Sequence, residues 1–194
     1  MAQTDENLIK EILKGNESAM EILVKRHYDL VHSYIYRATN DYNISYDITQ
    51  DVFIKIIKNI AKYNAESGKF QNWLLKIAVN TTKDYFKSKT YAQRNENCDI
   101  ENYQIEDKSN VIDIVSKKEE AIKIKQAIEK LPNRQREAIL LKYYNDLKIT
   151  EISNITGDNE NTIKSRLFNG IKNLKKLLGG EVFESETKHS QSKM

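Results

Sequence analysis

Residues 131–178, LPNRQREAILLKYYNDLKITEISNITGDNENTIKSRLFNGIKNLKKLL, constrain the fold more than any other part of this 194-residue chain. Apolar positions recur there at helical spacing in three or four short runs. Ser153 stands four positions before Gly157, and a basic helical run follows almost at once. That layout predicts a helix-turn-helix, whose second helix is shaped to enter the DNA major groove. Asn159 is placed to cap this second helix, which leaves Asn161, Thr162, Lys164, Ser165 and Asn169 outside and turns Ile163, Leu167 and Ile171 inward. Thr, Ser and Asn can bond base edges or phosphates, and Lys and Arg supply phosphate contacts or guanine readout. Lys164, Arg166, Lys172, Lys175 and Lys176 would also suit the wet face of any amphipathic helix. Following a helix and a glycine-containing turn, they favour DNA.

Upstream, helical periodicity runs through Leu8, Ile9, Ile12 and Leu13 and, after a break at Gly15-Asn16, through Met20, Leu23, Val24, Tyr28, Val31 and Ile35. Residues 40–45 form a polar connector. A third helix is expected from about Tyr46, with Ile48, Val52, Ile56 and Ile60 at steps of four and Phe53 and Ile57 beside them. A fourth covers roughly residues 70–87, after a loop at 63–69. Periodicity then fades until about Lys117, in a stretch too long for an ordinary loop within a domain. The reading is all-α: two small helical domains, 1–89 and 119–178, joined by a flexible linker at 90–118 and followed by a disordered tail at 179–194.

Charge follows the same division. The formal net charge is only +3, but residues 119–178 carry 12 Lys/Arg against 8 Asp/Glu, and residues 90–118 carry 4 against 6. A basic module behind an acidic connector suits nucleic-acid binding. The single cysteine, Cys98, excludes an internal disulfide and a cysteine zinc cluster. No apolar run approaches the roughly 20 residues of a membrane helix, and the acidic N-terminus has no signal-peptide core, so a cytoplasmic protein without membrane insertion is expected. His27 and His32 lie five apart on one helix and His189 lies in the tail, which gives surface or helix-flank histidines and no metal set. No glycine-rich phosphate loop is present, and no cofactor, metal or enzymatic activity is expected.

Tyr63, Phe70, Trp73, Tyr85 and Phe86 are interleaved with Lys62, Lys69, Lys76, Lys83 and Lys87. Aromatics with lysines are the chemistry of single-stranded DNA binding, in which bases stack on rings and lysines follow the backbone. Aromatics at helical spacing also fill cores. The residues alone leave both readings open, with Trp73 expected to be core or half-core.

Taken in order, these blocks resemble an extracytoplasmic-function (ECF) sigma factor of the sigma-70 family, the minimal type with regions 2 and 4 only. Residues 47–55, DITQDVFIK, are similar to the region 2 pattern D-L-T-Q-E-V-F. Residues 70–81, FQNWLLKIAVNT, are similar to F-x-x-W-L-x-x-I-A-x-N. Residues 131–138, LPNRQREA, and 162–167, TIKSRL, resemble the region 4 pair L-P-x-x-x-R-E and T-V-K-S-R-L. The similarity covers about residues 8–88 and 119–178.

The resemblance implies roles. The helix bearing Asp47, Gln50 and Asp51 would dock on the β′ subunit of core RNA polymerase, with β as a further partner. The melted −10 element would meet Tyr63, Asn64, Lys69, Phe70, Trp73, Lys76, Asn80 and Lys83, with loop 63–69 and Asn80 capturing a flipped base. The −35 element would be read by Lys142, Thr162, Lys164, Ser165, Arg166, Phe168 and Asn169. An anti-sigma factor, common in this family, is a further expected partner. The chain departs from the pattern at Asn169, where a basic residue is frequent, at Gly170 in mid-helix, in the acidic turn Asp158-Asn159-Glu160-Asn161, and at Lys148, where a capping Ser is typical. The rival readings are a stand-alone helix-turn-helix regulator that binds duplex DNA without polymerase, and a pure protein-interaction module.

Overall fold

The computed structural model describes residues 3–88 and 111–179. Cys98, His189, most of the expected linker and nearly all of the tail lie outside the described residues. Contacts divide the described residues into two units, 3–88 with 150–158 and 111–149 with 159–179. The described residues hold helices and turns, without a strand.

Four helices build the body of the first unit: α1 (Asp5–Leu13), α2 (Glu17–Thr39), α3 (Tyr42–Asn59) and α4 (Phe70–Lys87). Each of the first three starts at a side-chain cap. Thr4, Asn16 and Asp41 accept from the backbone N–H groups of Asn7, Ala19 and Ile44, an arrangement that contributes about 1 kcal/mol per helix. Asn40 closes α2 in the left-handed region at φ 53°, so the chain turns and restarts at once. The polar run 40–45 is therefore a C-cap and an N-cap back to back, and α3 begins four residues before the position expected from apolar spacing.

The apolar faces of these helices meet in a core that includes Leu8, Val31, Ile35, Val52, Ile56, Leu74, Leu75, Ala78 and Val79, each 2% exposed or less. Asp5 fastens α1 to α2: its carboxylate accepts from Arg26 Nη1 at 2.6 Å and lies 2.9 Å from His27 Nε2. Of the surface or helix-flank positions expected for the histidines, His27 takes neither a surface nor a ligand role: it is a structural group of α2, 9% exposed.

The second unit is built on α5 (Val111–Glu129), α6 (Asn133–Ile139) and α8 (Glu160–Leu177). Pro132 precedes the first turn of α6, where its missing N–H costs nothing. Arg136 lies across the end of α5 and donates to the carbonyls of Ile128 (3.2 Å), Glu129 and Leu131 (3.3 Å). Carbonyls run short of intrahelical partners where a helix stops, and the Ile128 carbonyl also accepts from Leu131 N at 3.1 Å. After α6 the backbone widens into a π-turn over Leu140–Tyr144.

α6 and α8 pack closely because Gly170 faces Ile139. A Cβ at position 170 would stand 3.1 Å from Ile139 Cγ1. Glycine costs about 1 kcal/mol in a helix interior, and here that cost is offset by close approach of the two helices. In chain order, the helix between α6 and α8, α7 (Ile149–Thr156), ends at Gly157, which takes φ 77°, and Ser153 Oγ donates to the Asp158 carbonyl at 2.6 Å. The small residue four before the glycine thus bonds the turn itself.

Candidate nucleic-acid and docking interfaces

On α3 the buried stripe of Ile48, Val52, Phe53 and Ile56 leaves the opposite face to solvent. Asp47, Gln50 and Asp51 are all exposed there, at the i, i+3, i+4 spacing of one helix face. The stripe continues with Ile54 at i+7 from Asp47, 47% exposed, and Ile57 is 45% exposed beyond it. Periodicity alone assigned Ile57 to the inner side of this helix. Two large apolar side chains thus stand in water beside the carboxylates of this face. The expected docking residues Asp47, Gln50 and Asp51 share this face with Ile54 and Ile57, which were not among them.

The loop before α4 consists of two short 3-10 turns, Ile60–Lys62 and Ala65–Ser67. Asn64 Oδ1 accepts from Glu66 N at 2.9 Å, and Tyr63 Oη donates to the Gly68 carbonyl at 3.0 Å. Gly68 sits at φ 132°, a conformation other residues rarely adopt. The Tyr63 ring meets Phe70 edge-on at 5.3 Å and lies 5.8 Å from the tilted ring of Trp73. Burial, reinforced by the nearby charges of Glu6 and Asp5, holds the Tyr63 hydroxyl above the ordinary tyrosine range.

Phe70 corrects one expectation. It is 2% exposed and packs against His27 at 5.3 Å, so its ring supports Tyr63 and Trp73 from beneath and offers no surface to a base. Part of the aromatic–lysine set shares one helix face, while Tyr85 and Phe86 meet each other, ring centroids 5.9 Å apart. Lys69, Trp73, Lys76, Asn80 and Lys83 follow one another at steps of three or four, with Trp73 half-buried and Lys69, Lys76 and Asn80 exposed. From Trp73 to Lys83 the stripe runs about 15 Å along the helix axis at ~1.5 Å per residue.

On α8, Asn159 caps the N-terminus as expected, its Oδ1 accepting from Thr162 N at 2.8 Å. Ile163 and Leu167 are buried and Ile171 is half-buried. The outer face carries Asn161, Lys164, Ser165, Phe168, Asn169 and Lys172, all exposed, with Thr162 and Arg166 at its half-buried margins. Phe168 is 69% exposed, the most exposed large hydrophobic side chain among the described residues. The Lys164–Glu160 pair is long, 3.8 Å, and exposed, so freeing Lys164 for a phosphate costs little. Lys142 is placed differently. It is half-buried on the π-turn, and its Nζ donates to the Leu147 carbonyl at 3.2 Å. No group of three or more His, Cys, Asp or Glu placed to hold a metal occurs among the described residues.

Residues 23–91 match the family model of Sigma-70 region 2, and residues 121–174 match that of Sigma-70, region 4. Over 177 residues the chain is 30% identical to the ECF RNA polymerase sigma factor SigW of Bacillus subtilis, covering 88% of this chain and 94% of SigW. The chain belongs to the ECF sigma factors of the sigma-70 family. It is also 30% identical to the ECF RNA polymerase sigma-E factor of Haemophilus influenzae over 173 residues, covering 85% of this chain and 90% of that one.

Two solved structures share the fold of this sigma factor. CnrH in complex with the cytosolic domain of CnrY aligns at TM-score 0.66 and 18% identity, covering 92% of this chain and 99% of CnrH. The sigma factor RpoE of Bartonella quintana, in complex with the anti-sigma factor NepR, aligns at TM-score 0.66 and 20% identity, covering 83% and 97%. As an ECF sigma factor the chain binds core RNA polymerase, directs it to specific promoters and assists opening of the −10 region. No described helix is long and apolar enough to cross a membrane.

Proposed function

We propose that the three surfaces divide the work of the sigma factor. The α3 stripe of Asp47, Gln50, Asp51 and Ile54 docks on the β′ subunit of core polymerase. Its carboxylates steer the encounter and its apolar end supplies buried area. The −10 strand runs along α4. Tyr63 and Trp73 at one end offer rings to an extruded base, Lys69, Lys76 and Lys83 neutralise phosphates, and Asn80 supplies hydrogen bonds to a base edge. Opening then needs no chemistry and no enzymatic activity, because capture of the single strand shifts the duplex equilibrium.

α8 enters the major groove of the −35 element with Lys164, Ser165, Phe168 and Asn169 towards the bases and Thr162 and Arg166 towards the backbone. Lys142 reaches a phosphate only by giving up the Leu147 carbonyl. Residues 1–89 and 119–178 are the two functional domains on an acidic tether, residues 90–118, whose last residues from Val111 already belong to α5, in a cytoplasmic protein. An anti-sigma factor is a fitting regulator, since the structural relatives CnrH and RpoE were solved with CnrY and with NepR.

The observation that carries this reading is the α4 stripe, where aromatic, lysine and asparagine side chains line one exposed helix face. Purification with core polymerase, followed by promoter opening, tests it. Stoichiometric co-purification and strand opening are expected, whereas a duplex-binding regulator would do neither.

A further inference from the structure

We infer that Asn169 selects an adenine in the −35 duplex, giving this chain an A·T pair where the third turn of α8 meets the groove. The inference rests on the proposed reading of α8 as the major-groove helix. Asn169 is exposed on the same face as Lys164, Ser165 and Phe168. One proton of its Nδ2 goes to Ser165 Oγ at 3.4 Å, which leaves the second amide proton and Oδ1 for a base. Adenine presents an acceptor, N7, beside a donor, the N6 amino group, and a carboxamide matches both. Guanine presents two acceptors there, so Oδ1 would face O6 unpaired. A basic residue at this position reads guanine for the converse reason.

The support beneath Asn169 is rigid. Immediately after it, Gly170 lies against Ile139 with no room to spare, and four residues on Asn173 Nδ2 donates to Gln135 Oε1 at 2.9 Å. A carboxamide held on a clamped helix meets the geometric demand of two simultaneous hydrogen bonds better than one on a loop. Beside it the exposed Phe168 ring offers an apolar surface suited to a thymine methyl group, so the neighbouring contact also favours A·T.

The test uses the full chain with core polymerase on a promoter library randomised across the −35 element. The wild type should enrich adenine at one position. Asn169→Ala should lose that enrichment and keep the others, and Asn169→Arg should transfer it to guanine. At the same position 7-deazaadenine, which lacks the N7 acceptor, should weaken wild-type binding about tenfold and leave Asn169→Ala unchanged. An adenine preference that persists unaltered in Asn169→Ala overturns the inference while leaving α8 as the reading helix. If no −35 position is enriched and Lys164→Ala and Lys172→Ala leave DNA affinity unchanged, the reading of α8 itself fails, and the inference with it.

Discussion

Gly170 and Ile139 stand so close that a side chain at position 170 would begin 3.1 Å from Ile139 Cγ1, in a place where Ile139 is 3% exposed. The contact explains a glycine that helix propensity alone would count as a defect. Gly170→Leu should force α6 and α8 apart and lower stability by about 2 kcal/mol. Gly170→Ala should change it by less than ~1 kcal/mol, because the gain in helix propensity offsets a shift of a few tenths of an ångström in Ile139. Urea unfolding of the two variants checks both figures, and equal stability would show that the helices can part without cost.

Arg136 serves three carbonyls at the end of α5. Arg136→Ala should destabilise the second unit by about 2–3 kcal/mol, in the range of hydrogen bonds to a charged group. Arg136→Lys should recover only part of that loss, since an ammonium cannot reproduce the planar fork. Thermal melts of the isogenic set decide, and a full recovery by lysine would reduce the role of Arg136 to bare charge.

Acid should weaken the fold through His32. Its ring is stacked between Tyr28 at 5.7 Å and Tyr36 at 6.3 Å, and its Nε2 lies 3.3 Å from Ser45 Oγ. Burial lowers its affinity for a proton, against a smaller opposing pull from Asp29. The unfolded chain therefore takes up that proton first, at about pH 6.5. Stability is complete above that pH and falls as the pH drops through it. His32→Phe, which keeps the stack, should show a smaller difference in urea midpoint between pH 7.5 and pH 5 than the wild type.

Binding at the −35 element should respond to salt through Lys164. Lys164→Ala should weaken holoenzyme binding and reduce the slope of log K against log salt by about one. A slope equal to that of the wild type would place this ammonium away from the DNA backbone.

Much of this was legible in the chain because helix periodicity is a strong signal. The buried stripes of α2, α3 and α4, the cap at Asn159 and the outer face of α8 all follow from spacing. What escaped depends on partners distant in sequence or on local caps. Residues 40–45 look like a loop, since Asn40 and Asp41 are polar, yet one ends a helix and the other starts the next. Phe70 shares its spacing with Trp73, and only the packing of His27 and Tyr63 against it shows that one ring is core and the other half-exposed. Ile54 and Ile57 count as apolar in any pattern, and only the three-dimensional course of α3 leaves them in solvent. The role of Gly170 is tertiary and has no local signature, whereas Arg136 bonds carbonyls only five to eight residues back and is the Arg of the L-P-x-x-x-R-E pattern.

The α4 stripe carries the central claim, and open-complex formation by reconstituted holoenzyme tests it most directly. With Asn80→Ala, core polymerase should still bind the sigma factor with wild-type affinity, while unpairing of the −10 region, read by permanganate reactivity of its thymines, should fall about tenfold or more, in line with the loss of a hydrogen-bonded base contact worth about 1–3 kcal/mol. Unchanged permanganate reactivity in Asn80→Ala, with polymerase binding intact, would contradict the assignment of this face to the melted strand.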